Sequence, residues 1–108
     1  MDEQEFRTQS DLALQGLYNA LAKASDQHDF DVDMNNGALA VEFEDPPAKF
    51  VVSPNAPVRQ IWVSAHSRSF KLDWDAARSA FVMPGSGQAL KELIAEHIGQ
   101  QLGESIAL

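Results

Sequence analysis

Cysteine is absent from the 108 residues, which excludes disulfides, thiolate catalysis, cysteine zinc sites and cysteine-held iron–sulfur clusters. Basic residues are scarce: eight Lys and Arg stand against sixteen Asp and Glu, a formal charge of −8. Nucleic-acid phosphates are held by a basic footprint, so this balance argues against a nucleic-acid partner. It argues equally against an anionic membrane surface, and it suits cations, basic proteins or plain solubility. No apolar run approaches the ~20 residues of a membrane span. Met1 to Leu12 is acidic and broken by charges, unlike a signal or transit peptide. What is present is ordinary globular usage, 44% hydrophobic and 22% charged, at a length that suits one domain over 1–108. The expectation is a small, soluble, acidic, intracellular protein.

Asp2 and Glu5 have capping-box spacing. Behind them Phe6, Ser10, Ala13, Leu14, Leu17, Leu21 and Ala24 recur at steps of three and four, predicting a helix over 3–24 whose stripe faces a core. From Asp29 to Met34 the pattern changes to strict alternation, with Phe30, Val32 and Met34 on one face and three aspartates on the other. Asn36-Gly37 is a hairpin signal, and Leu39, Val41 and Phe43 mark the returning strand up to Asp45-Pro46-Pro47. Further strands are predicted over 49–53, 59–65, 69–74 and 81–83. In the fourth, Ile61 and Val63 point inward and Gln60, Trp62 and Ser64 outward; in the fifth, Phe70, Leu72 and Trp74 point inward and Lys71 and Asp73 outward. A closing helix starts near Gln88, carries Leu90, Leu93, Ile94, His97 and Ile98 on one face, and fades by Gly103 into frayed residues. Short turns between consecutive strands make an antiparallel meander. The predicted fold class is therefore α+β: a two-layer sandwich with both terminal helices on one face of about six strands, and the other face open.

Three groups of side chains carry chemistry. Asp29, Asp31 and Asp33 line one side of a strand; Asp26 lies just ahead, and Glu42 and Glu44 come from its hairpin partner. Carboxylates and water suit hard cations. A strand cannot wrap its own carboxylates around one ion, so any binding would be weak and water-rich. The competing reading is a charged edge strand that resists aggregation. The histidines are scattered and no two have ligand spacing; His28, between Asp26 and Asp29, could add a nitrogen, while His97 reads as packed. Trp62 is the third feature: an outward indole on an open sheet is a candidate binding anchor, ringed by Gln60, Ser64, Lys71 and Asp73. No serine stands in a nucleophile elbow, and no carboxylate pair lies in an apolar pocket that would tune it for acid–base work.

Arg59-Gln60-Ile61-Trp62-Val63-Ser64, Phe70-Lys71-Leu72-Asp73-Trp74, Asn36-Gly37-Ala38-Leu39-Ala40-Val41 and Gln88-Ala89-Leu90-Lys91-Glu92-Leu93-Ile94 together resemble the frataxin family in its small bacterial branch, over roughly 5–99. The resemblance implies an α-β-α sandwich and a cytoplasmic accessory protein of iron–sulfur cluster assembly. It implies weak binding of iron (Fe2+ or Fe3+) by surface carboxylates, here Asp26, Asp29, Asp31, Asp33, Glu42 and Glu44 with His28. It also implies docking on cysteine desulfurase and the scaffold protein through Gln60, Trp62, Ser64, Lys71 and Asp73. The protein is expected as a monomer, with metal-dependent oligomers as an alternative. The family's acidic ridge is thinned here, because Tyr18, Asn19, Ala22, Lys23 and Ser25 occupy the end of the first helix. The rival readings are a dimeric, peptide-binding secretion-type chaperone and an iron-oxidising or iron-storage protein.

Overall fold

The Asp2 side chain caps the first helix as its spacing predicts, accepting the Glu5 N–H at 2.7 Å. The computed structural model describes Met1 to Leu108. Helix α1 spans Glu3–Ala24; strands β1 (Asp31–Asn35), β2 (Ala38–Glu44), β3 (Pro47–Asn55), β4 (Gln60–Ala65), β5 (Arg68–Asp75) and β6 (Ala80–Val82) follow; α2 spans Leu90–Leu102. The strands form one sheet in chain order, every neighbour antiparallel. Asn36-Gly37 makes the two-residue turn between β1 and β2, with φ of 54° and 80°, the left-handed pair such hairpins require. The chain thus has the predicted two layers, with two helices against one sheet face.

Register puts every alternating apolar residue on the same side. Met34, Leu39, Val52, Val63 and Phe70 stand opposite one another across five strands. Beside them Val32, Val41 and Phe50 form a second row. Against these rows α1 buries Phe6, Leu14, Leu17 and Leu21, and α2 buries Leu90, Leu93, Ile94 and Ile98, all in one core. Ser10 is buried in the α1 stripe because its Oγ donates to the Arg7 carbonyl at 3.2 Å, within its own helix.

Element ends differ from the sequence expectation for local reasons. β1 begins at Asp31, so Asp29 and Phe30 precede the ladder; the Phe30 N–H donates to the His28 carbonyl, and the ring still reaches Phe43 at 6.1 Å. β3 runs through Pro54, which stands opposite Ile61 beyond the last β2 pairing at Leu39–Val52. There β3 has a neighbour on one side only, where a residue without an N–H is tolerated. Arg59 lies outside β4, at φ 55° after a short 3-10 turn over Ala56–Val58. β5 is longer than expected and β6 starts one residue earlier. α2 starts at Leu90 rather than Gln88 because Ala89 bridges to Val82 and its N–H donates to Glu92 Oε1 at 3.0 Å.

The residues after Gly103 are not frayed. Gly103, at φ 70°, and Glu104 both donate backbone N–H groups to the Gly99 carbonyl, at 2.8 and 3.1 Å, a glycine helix stop. The tail then returns, with Ile106 and Leu108 packed against the core. Gly99 permits this turn: a Cβ there would lie 2.8 Å from the Glu104 carbonyl oxygen. Inside a helix Gly→Ala ordinarily gains about 1 kcal/mol. Here Gly99→Ala must displace tail backbone, an overpacking cost of roughly 1–3 kcal/mol. The expected outcome is a lower melting temperature for Gly99→Ala, measured by thermal denaturation.

Candidate functional site

Alternation sends Trp62 to the face that carries no helix, where it is 38% exposed. Its indole is held in place. Trp62 Nε1 donates to Gln60 Oε1 at 3.0 Å, Gln60 Nε2 donates to Asp73 Oδ1 at 3.0 Å, and Lys71 Nζ lies 4.9 Å from the ring centroid. Register causes this grouping: Gln60 is opposite Asp73, and Trp62 is opposite both Ser53 and Lys71. A shallow depression of about 400 Å³ opens beside the ring between Val51, Ser53, Ser64, Ser69 and Lys71. Four of the five expected partner-binding residues therefore form one bonded constellation, and Ser64 lines the depression. A ring already fixed loses little rotamer freedom on binding.

The acidic residues are arranged differently. Asp31 stands opposite Glu42, Glu42 opposite Lys49, Asp33 opposite Ala40 and Glu44 opposite Pro47. Lys49 Nζ lies 3.9 Å from Glu42 Oε1, both exposed, a pair worth about 0–1 kcal/mol. Asp26 and Asp29 are exposed in the segment between α1 and β1. His28 turns its Nδ1 to the Glu104 carboxylate in the tail. No three His, Asp or Glu side chains are grouped to enclose an ion. The carboxylates lie as a band along the β1 edge of the sheet and the β1–β2 hairpin, well separated in the sheet from Trp62 on β4.

A family model for the frataxin-like domain matches residues 1–104. The chain belongs to the frataxin family. It is 38% identical over 80 residues to the iron–sulfur cluster assembly protein CyaY of Azotobacter vinelandii, covering 72% of each chain. It is 35% identical over 92 residues to the protein of that name from Pseudomonas aeruginosa, covering 83% of this chain and 84% of that one. Among solved structures it superposes on the frataxin of Psychromonas ingrahamii with a TM-score of 0.84 at 22% identity, over 98% of this chain and 96% of the other. Two helices on a six-stranded antiparallel sheet is the frataxin fold.

One site in this frataxin-family chain escaped the sequence reading. His66 and His97, 31 residues apart, are not scattered: their Nδ1 atoms lie 2.9 Å apart. His66 occupies the β4–β5 turn with Ser67, at φ 52° and 60°. His97 lies in α2, 3% exposed, with its ring centroid 5.0 Å from Phe70 and 6.2 Å from Phe50. Burial, and then the neighbouring His66, hold the His97 pKa below its ordinary value; Arg68 acts the same way and Glu96 opposes them. The available signal was a His-Ser pair in a two-residue turn, a position that favours Asn or Gly.

Trp74 is on the core face as expected, against Phe81 at 5.1 Å, but it is only half-buried because β6 is short and ends the sheet. The two tryptophans should therefore separate. Trp62→Ala is expected to change stability by less than about 1 kcal/mol. Trp74→Ala is expected to cost roughly 3 kcal/mol, the low end for a large aromatic because the ring is partly exposed. Paired denaturant melts measure both; equal losses would contradict the assignment of faces.

Proposed function

We propose that the chain is an accessory and regulatory protein of cytoplasmic iron–sulfur cluster assembly. It docks on cysteine desulfurase and its scaffold through the open sheet face, and it takes iron weakly as cargo on the β1–β2 edge. The observation that carries the reading is the pre-set Trp62 constellation on a face without a helix. A large aromatic ring with a polar surround is the make-up of an interface hot spot. The relatives' name, iron–sulfur cluster assembly protein, supports the same direction. Partner residues are Gln60, Trp62, Ser64, Lys71 and Asp73; Lys71 and Asp73 offer one charge of each sign at the rim.

The metal part of the proposal rests on Asp29, Asp31 and Asp33 with Asp26, Glu42, Glu44 and His28. Iron in either common oxidation state accepts carboxylate and water oxygen. Asp31 and Glu42 are directly opposed across the hairpin, so a hydrated cation bridging them would relieve their mutual repulsion. Lys49 competes for Glu42 from the other side, and Glu104 occupies one nitrogen of His28. With no enclosing group of three ligands, the binding is open and exchanging, as suits cargo.

Two measurements test the two halves separately. Trp62→Ala should weaken binding to purified cysteine desulfurase by about 2 kcal/mol, roughly 30-fold, with melting behaviour retained; unchanged affinity would remove the docking face. Ferrous ion added to isotope-labelled protein should shift NMR signals of residues 29–44 more than those at the middle of α1. Asp31→Asn with Asp33→Asn should weaken that response several-fold. Shifts centred on Asp11, or a response untouched by the double substitution, would overturn the hairpin site.

A further inference from the structure

The contact between His66 and His97 is one link in a longer chain of hydrogen bonds. Gln101 Nε2 donates to the Pro46 carbonyl at 3.0 Å, and Gln101 Oε1 lies 3.1 Å from His66 Nε2. A carbonyl only accepts, so Pro46 fixes which end of the Gln101 amide faces His66. Gln101 Oε1 then accepts, and His66 Nε2 must carry a hydrogen. In neutral His66 this leaves Nδ1 with a lone pair, which accepts from Nδ1–H of His97. Every donor and acceptor is assigned by one carbonyl at the β2–β3 turn.

We propose that Pro46, Gln101, His66 and His97 form a proton-operated clasp, which fastens the C-terminal half of α2 to the β2–β3 and β4–β5 turns near neutral pH and lets it go in acid. The geometry dictates this. Between two Nδ1 atoms 2.9 Å apart there is room for one hydrogen. A first added proton can sit on His66 only if His97 moves its own hydrogen from Nδ1 to Nε2. A second sets two N–H groups of two cations against each other, and the contact must open.

The surroundings reinforce this. On β5, Arg68 stands with its guanidinium 4.9 Å from the Phe70 centroid and adds positive charge near His97; on α2, Glu96 is the counter-charge; β3 presents the Phe50 ring. His97 is the buried member, with its pKa held down. A group depressed in the folded state stabilises fully above its unfolded value near 6.5 and loses that contribution as pH falls through the folded value. Stability should therefore fall on acidification from about pH 6.5 downward, while the carboxylates are still largely ionised. The turn itself supplies a second observation. His66 and Ser67 both hold positive φ, which is unfavourable for these residues. The two hydrogen bonds of the His66 ring hold that conformation, so opening the clasp also frees the turn to relax.

Thermal melts of the whole chain from about pH 7.5 to about pH 5 test the proposal. Wild type should lose about 5 °C more over this range than His66→Asn or His97→Phe. Asn tolerates the left-handed turn, and Phe keeps the aromatic packing. His28→Ala, which removes the third histidine, should leave that difference intact. Parallel pH profiles for wild type and both variants would overturn the clasp. A measurement on wild type alone covers the case in which a variant fails to fold. The imidazole signals of His66 and His97 should change in one coupled acid transition, together with the amides of Gly99–Gln101 and Ser67. Independent titration of the two rings near pH 6.5, with those amides unmoved, would equally overturn it.

Discussion

Six strands joined in chain order can bury one face only if every strand keeps its apolar residues in phase with its neighbours. A slip of one residue would turn a whole strand's apolar set outward. The row Met34, Leu39, Val52, Val63 and Phe70 is that constraint in its most complete form, and the helices depend on it. Leu14, Leu17 and Leu21 of α1 and Leu93, Ile94 and Ile98 of α2 have one continuous apolar surface to cover. The same phasing creates the opposite face. Each residue that alternates away from Val63 or Leu72 must surface where there is no helix, and Trp62, Ser64, Lys71 and Asp73 are those residues.

Charge is distributed unevenly over this frame. Six of the sixteen carboxylates lie on β1, its preceding segment and the paired β2 strand, at one end of the sheet order. The Trp62 constellation lies on β4 and β5, with one cation and one anion in contact with its polar core. Charge on an edge strand disfavours pairing with a like-charged edge and favours cations. At its β4–β5 end the same open face instead presents a fixed, exposed indole.

The last third of the chain closes the structure on itself. Gly99 lets the tail turn back, Glu104 reaches His28 after α1, and Gln101 and His97 reach the two hairpin turns. Three of these links tie α2 and its tail to parts of the chain far away in sequence, and the Gly99 turn aims the tail that carries one of them. None of them is apolar packing, so each responds to pH, charge or a single Cβ in a way the core does not.

The sequence by itself determined the fold class, the meander order and the two faces. Those follow from local periodicity, and a period of two or of 3.6 is visible within a single segment. It also placed the Asp2 cap, the Asn36-Gly37 turn and the outward Trp62, all of which depend on neighbours within a few residues. Tertiary structure decided whatever depends on two distant segments meeting. It extended β3 through Pro54 because β2 has already ended there, and it left Trp74 half-covered because β6 is short. It packed Ile106 and Leu108 onto the core rather than leaving them frayed. And it joined His66 to His97, residues whose spacing along the chain carries no sign of contact; only the docking of α2 against the β4–β5 turn brings the two rings within a shared proton of each other.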